Sequence, residues 1–278
     1  MTLIVDSSIV QFCNWDTQAD AFAAPKAPGI VAGGKPNCSY GTNRVRGSGG
    51  IQSFRPKLNS FKPSLKLDMT TDSKALIGNC IRTGGVFTPV AFKMGTAQQS
   101  WFIQNALADQ CKIMISMPDD IVSADMDFIA LAATPLTAAI AQVPPASVPY
   151  SGYDLVGSIN TIDYGLIKAE LSWKNNLKAI RTGSSVSAGL LRNPNLIVFG
   201  QEDHELTLQT IMPVAGVPNV DAPGQANGVV ISLGGGITFT YTNLSYDEGS
   251  FNQELKTNEG EVVFEHKLIG GPGCLTIT

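Results

Sequence analysis

Few residues of this 278-residue chain stand at a spacing that supports chemistry. The Gly-rich stretch SLGGGITF from Ser232 lacks the Lys and Ser/Thr that a phosphate-binding loop needs after its glycines, and apolar alternation flanks it on both sides. It reads as a turn between strands. The run Glu202, Asp203, His204, Glu205 offers oxygens to a cation, but the alternation in QEDHELTLQT favours the start of a strand with solvated ends. Asp125 and Asp127, two positions apart, share one face of a strand and follow Asp119 and Asp120. Paired carboxylates can cleave glycosidic bonds. Neither an aromatic platform nor a third polar group accompanies them. No GxSxG, no HExxH, and no Ser or Cys nucleophile with a nearby His occurs, so the expectation is a protein that is not an enzyme.

The five cysteines, Cys13, Cys38, Cys80, Cys111 and Cys274, are odd in number, widely spaced and without a CxxC pair. They read as free, buried thiols. With only two His and no HxxxH, neither a metal nor any other cofactor is expected. The longest apolar stretch, FIALAATPLTAAIA from Phe128, is 14 residues broken by Thr134, Pro135 and Thr137, too short for a membrane span. The opening residues MTLIVDSSIVQF carry no positive charge and meet Asp6 early, unlike a secretory signal. The expectation is a protein that stays in the cell making it.

Nineteen Lys and Arg against 23 Asp and Glu give a net charge of −4, and only 15% of residues are charged, against about 25% in an average soluble domain. So little surface charge suggests a subunit covered by copies of itself. Apolar residues at 44% allow a real core, and 28 Gly with 16 Pro imply many turns. From Ala21 to Leu67 there is no acid, while Lys26, Lys35, Arg44, Arg46, Arg55, Lys57, Lys62 and Lys66 supply eight positive charges. Turn-forming APKAPG, AGGKPN and GSGG make this stretch look like an extended arm. Its charges are spread out, and the rest of the chain is acidic, which favours docking on a neighbouring copy over binding nucleic acid. For the nucleic-acid reading, Tyr40, Phe54 and Phe61 are the stacking candidates. Residues 1–67 are assigned to an N-terminal segment with this arm and 68–278 to a β domain.

Period-two alternation marks strands in SLKLDM from Ser64, VFTPVAF from Val86, KIMISM from Lys112 and IVSADMDFIAL from Ile121. TAQQSWFIQNALADQC places Trp101, Phe102, Asn105, Ala106 and Ala108 at helical spacing, so one helix is predicted from Thr96 to Cys111. From Tyr153 onward, short alternating runs follow one another with no helix to link parallel strands. In ITFTYT, Ile237, Phe239 and Tyr241 face one way and Thr238, Thr240 and Thr242 the other. The fold class is mainly β: an antiparallel sandwich or half-barrel with one flanking helix and long extended loops.

The stretch GLIKAELSWKNNLKAIRTGSSVSAGLLRNPNLIVFGQEDHELTLQTIM from Gly165 resembles tail tube proteins of long-tailed bacteriophages with non-contractile tails. The resembling features are the strand ending at Trp173, the Asn175–Asn176 turn, the basic strand into a Gly turn, and the acidic-to-apolar strand after Gly200. The closing block from Gly234 to Gly271 is similar to the last strands of such subunits. The resemblance implies hexameric rings stacked into a hollow tube, with the sheet completed into a barrel by neighbouring copies. It also implies tape-measure, tail-terminator and baseplate proteins as partners, assembly in the bacterial host cytoplasm, and DNA passing through the lumen without specific binding. Asp119, Asp120, Asp125, Asp127, Glu202, Asp203 and Glu205 are the lumen-facing candidates, since like charge keeps the phosphate backbone from adhering. Arg44, Arg46, Arg55 and Lys57 are the inter-subunit candidates. The alternatives are a baseplate or tail-completion protein of the same fold, or a carbohydrate-binding adhesin sandwich, which would need exposed aromatics on one face.

Overall fold

A computed structural model describes residues 9–15, 22–39, 42–46, 52–56, 59–95, 99–117, 120–163, 165–181, 193–211, 227–247 and 263–278. In chain order the first elements are β1 (Ile9–Asn14), β2 (Ile30–Lys35), β3 (Cys38–Ser39), β4 (Thr42–Arg46), β5 (Gln52–Pro56), β6 (Ser60–Phe61), β7 (Ser64–Asp68) and the helix α1 (Ser73–Gly78). Then come β8 (Val90–Gly95), the long pair β9 (Ser100–Ser116) and β10 (Ser123–Leu136), β11 (Leu155–Ile159), β12 (Leu166–Lys174), β13 (Lys178–Ile180) and β14 (Leu196–Val198). The last are β15 (Asp203–Ile211), β16 (Asn227–Leu233), β17 (Ile237–Tyr246), β18 (Val263–Gly270) and β19 (Leu275–Ile277). No helix among the described residues is long and apolar enough to cross a membrane.

The protein is mainly β, an antiparallel sheet curled into a half-barrel. Its main path runs β11-β16-β17-β18-β15-β12-β9-β10-β6-β3. β9 takes β8, and through it β1, along its first half and β12 along its second. β10 likewise takes β7, and through it β2, along its first half. The far end of the sheet folds back on itself: a Cβ at Gly157 in β11 would stand 2.7 Å from Leu166 Cδ2 in β12. The enclosed core holds Phe12, Phe61, Phe92, Phe128, Trp173, Phe239 and Tyr241, all fully buried. As the pattern predicts, Ile237, Phe239 and Tyr241 point inward, and SLGGGITF forms the turn joining β16 to β17.

The helix expected over Thr96–Cys111 is instead most of β9, and the one α-helix among the described residues is α1. Thr96, where that helix was expected to begin, lies outside the described residues. The cause is two bulges. Asn105 takes φ +51 where the β8–β9 register slips, and Asp109 is left over where Asp127 pairs Gln110 and Phe128 pairs Ala108. Each extra residue lengthens the interval between inward positions, so Ile103, Ala106, Ala108 and Cys111 stand three, two and three residues apart. That sequence of intervals imitates a helix.

The supposed N-terminal arm is also redrawn. A boundary at residue 67 falls inside β7, and β2, β3, β6 and β7 are all strands of the main sheet, with Phe61, Leu65 and Leu67 in its core. Among the described strands of that segment, only β4 and β5 stand off the main sheet, as a separate two-stranded one. The acid-free composition spoke of charge, while Leu65 and Leu67 carried the alternation that places a strand in the sheet.

The bulge at Asn105 is testable by substitution. Asn105→Gly should keep the melting temperature, because glycine accepts positive φ, whereas Asn105→Val should cost about 1–2 kcal/mol. A helix would reverse the order and make glycine the worse replacement. Thermal denaturation of both variants decides between them.

Candidate functional site

Strand alternation sorts the predicted carboxylates. In β15, His204, Leu206, Leu208 and Thr210 point into the core, so Asp203 and Glu205 point outward. In β10, Ala124, Met126 and Phe128 point inward, leaving Asp125 and Asp127 on the same outer face. Register then arranges that face in rows. One row reads Lys66, Asp125, Lys112, Ser172, Glu205; the next reads Ser64, Asp127, Gln110, Lys174, Asp203. Four of the seven lumen candidates therefore share one surface. Asp120 stands exposed in the turn before β10, its carbonyl accepting the Gly152 N–H at 2.9 Å. Asp119 lies outside the described residues.

The surface is mixed in sign rather than purely acidic. Lys66 and Lys112 flank Asp125 in register, and Lys112 Nζ meets Glu170 Oε1 at 2.6 Å. Cross-strand pairs of opposite charge contribute about 0.2–1 kcal/mol each, enough to order the face without closing it. The Asp127 carboxyl is pushed above its ordinary range, chiefly by partial burial and then by the Asp109 and Asp125 carboxylates, with Lys62 opposing. Lys66 in SLKLDM and Lys112 in KIMISM stood at alternating positions in the sequence, but charge counted along the chain does not register which strands become neighbours.

Glu202 departs from the expectation. It is 2% exposed and sits on the core side, where its Oε1 lies 2.8 Å from His204 Nε2 and its Oε2 lies 3.9 Å from Arg82 Nε. Arg82 donates from Nη2 to Gly200 O at 2.6 Å and to Asn175 O at 3.2 Å, with its guanidinium 5.0 and 5.5 Å from the Phe87 and Phe199 rings. Asn175, fully buried, donates to Cys80 O and Ala108 O, and Trp173 Nε1 donates to Cys80 O at 3.0 Å. The bulged Asp109 finishes this corner: its carbonyl accepts the Asn175 N–H and its Oδ1 the Leu177 N–H. Gly200 is required here, since a Cβ would come within 2.5 Å of Asn176 O. The network pins both ends of the β13–β14 segment to the body. It is closed to any substrate. Arg82 was not singled out from sequence; the Asn-Asn turn and Gly200 were the signals that something polar lay there.

Arg44 lies in β4 and Arg55 in β5, where Arg44 pairs Phe54 and Asn43 pairs Arg55; Arg46 closes β4 and pairs Gln52. Lys57 and Tyr40 lie outside the described residues. Phe61 is 1% exposed and so is withdrawn from any stacking on bases. Trp173 and Trp15 are buried as well, and Trp101 is half-buried against the core, so the three tryptophans form no shared platform for a sugar. All five cysteines are free. Burial pushes the Cys38 thiol up to about 11, and Cys274 to about 12 with help from the Glu202 carboxylate, so neither is a ready nucleophile. Among the described residues no group of three His, Cys, Asp or Glu is placed to hold a metal ion.

Two measurements test this arrangement. Arg82→Met removes one member of a buried ion cluster and should cost about 3–5 kcal/mol in urea unfolding, and Arg82→Met with Glu202→Gln should recover part of that loss. His266 is 3% exposed between Thr210 Oγ1 at 3.0 Å and Tyr246 OH at 3.2 Å, and burial lowers its pKa from 6.5. The unfolded chain then binds the proton more readily, so His266 subtracts stability as pH falls below about 6.5 and not above it. His266→Gln should flatten the decline of the urea midpoint between pH 7.5 and 5.5; an unchanged slope would contradict the assignment.

No protein-family model matches this chain, and no curated protein matches it.

Proposed function

We propose that this chain is a structural subunit of a bacteriophage tail tube, assembling through copies of itself into stacked rings around a channel for DNA. The observation that carries the reading is the incomplete closure of the half-barrel. The sheet curls back from β12 to β11 but at its other side ends on β3 and β2, which pair only with β6 and β7 among the described strands. Edge strands left open invite addition of another chain, and a ring of copies would remove them. The low charged fraction of 15% fits a surface covered by assembly. In this reading the outer face bearing Asp125, Asp127, Asp203 and Glu205 lines the channel. Its lysines stand opposite carboxylates, Lys112 bonded to Glu170, Lys66 in register with Asp125 and Lys174 with Asp203, which lowers the positive charge open to phosphates.

The resemblance from Gly165 to Met212 supports the same part, and the buried tryptophans weigh against an adhesin. Tape-measure, terminator and baseplate proteins are the partners that follow, in the virion tail. Negative-stain microscopy of the purified protein tests the proposal. Hollow tubes are expected; single rings would move the assignment to a baseplate or completion protein, and monomers at high concentration would overturn it.

A further inference from the structure

One part of the core brings three sulfur atoms together. The inward face of the sheet carries a row that reads Leu65, Met126, Cys111, Trp173, His204 across β7, β10, β9, β12 and β15. Cys80, just beyond α1, lies over that row: its Sγ stands 3.6 Å from Met126 Sδ, and its carbonyl accepts Trp173 Nε1–H at 3.0 Å. Met126 and Trp173 flank Cys111 in register, so a residue that touches both covers the Cys111 thiol. That thiol is hydrogen-bonded to Cys80, and burial first, then this bond, hold it well above the usual thiol range. Cys80 and Cys111 are fully buried, as Met126 is almost entirely.

The three residues are fixed as well as gathered. The Cys80 carbonyl accepts a second bond, from Asn175 Nδ2 at 3.0 Å, and the Cys80 N–H donates to Ile77 O at 2.9 Å. Cys111 and Met126 are directly opposed in the β9–β10 ladder. A ligand set needs this kind of support from its surroundings. The spacing suits one shared ion: sulfurs about 2.3 Å from a metal stand about 3.8–4.0 Å from one another at tetrahedral or trigonal angles.

The ligand type selects the ion. Thiolate and thioether sulfur favour Cu(I). Zn²⁺ would take four ligands from Cys, His, Asp and Glu, and the described residues hold no group of even three such side chains. A monovalent ion also needs only one thiol proton released to the solvent to enter as a unit without net charge, the form a dry core tolerates best.

We infer that Cys80, Cys111 and Met126 form a site for a soft monovalent cation, Cu(I), held by sulfur alone. The inference goes beyond the assembly proposed above and does not depend on it. An ion bound there ties the segment after α1 to the β9–β10 hairpin and stabilises the folded chain, because the unfolded chain offers no preformed site.

The test adds Cu(I), kept reduced by ascorbate under nitrogen, to the full chain during refolding from urea, and then challenges it with the Cu(I) chelator bathocuproine disulfonate. Wild type should retain a single copper in native mass spectrometry, show only sulfur neighbours at about 2.3 Å in X-ray absorption, and melt at a higher temperature than the copper-free chain. Met126→Leu conserves core volume and should weaken retention about tenfold; Cys80→Ala and Cys111→Ala should weaken it about a hundredfold. Cys13 packs in a separate cluster and Cys38 lies on β3, so Cys13→Ala and Cys38→Ser should bind as wild type does. Melting temperatures report folding, and Met126→Leu decides alone if the cysteine variants fail to fold. Copper stripped from wild type by the chelator, retention unchanged in Met126→Leu, or retention lost in Cys38→Ser would each overturn the inference and leave the three sulfurs as packing only.

Discussion

The β9–β10 hairpin is the constraint from which the rest follows. Its strands are longer than any other, and each serves two sets of neighbours: β8 and β6 on the outer halves, β12 and β7 on the inner ones. A flat strand of 17 residues could not do this within one curved sheet, because inward positions would fall out of step with the core as the sheet turned. The bulges at Asn105 and Asp109 correct the step. They keep Ile103, Ala106, Ala108, Cys111 and Ile113 in one core while the strand bends. At the bend, Leu107 and Ile129 turn outward into a second small cluster with Phe87, Leu177 and Ile197, which seats the β13–β14 segment.

The polar network around Arg82 depends on that bend. Asp109, expelled from pairing, is free to hold the backbone at Asn175 and Leu177. Asn175 in turn binds Cys80 and Ala108, and Arg82 gathers the carbonyls at both ends of the loop. A buried carboxylate beside an imidazole and a guanidinium is an expensive arrangement in low dielectric, and a packed apolar cluster of equal volume would be as stable or more so. What the charges add is direction: the guanidinium donates only to carbonyls lying near its plane, so it fixes the loop in one orientation.

Class and most strand positions were legible because period two survives wherever a strand is regular, as in Ile237–Tyr241 and Asp203–Thr210. β9 was misread where that period is interrupted, since a bulge leaves no signature but a changed interval. The acid-free stretch was overextended into an arm for a different reason. Charge composition describes solvent-facing side chains, and Phe61, Leu65 and Leu67 between the lysines belong to the core. Of the candidate carboxylates, alternation correctly groups Asp125 with Asp127 and Asp203 with Glu205 on single strands. That the two pairs meet on one face, with Lys112 and Lys174 between them, depends on β9 and β12 lying between β10 and β15, a fact of topology. Glu202 stands one position before Asp203 and so takes the opposite side.

Segregation of charge along the chain therefore has two distinct outcomes in space. Where the strands of opposite composition are woven together, as β7 is with β10, the charges neutralise each other in register, Lys66 against Asp125. Where they are not, as in the β4–β5 hairpin, which forms its own sheet, the basic strands have no acidic strand in register with them. Charge left unneutralised within a molecule acts on whatever approaches it, orienting a charged partner before any apolar contact forms. The near-neutral sum of −4 thus conceals charge segregated along the chain, of which the weave of β7 with β10 cancels a part.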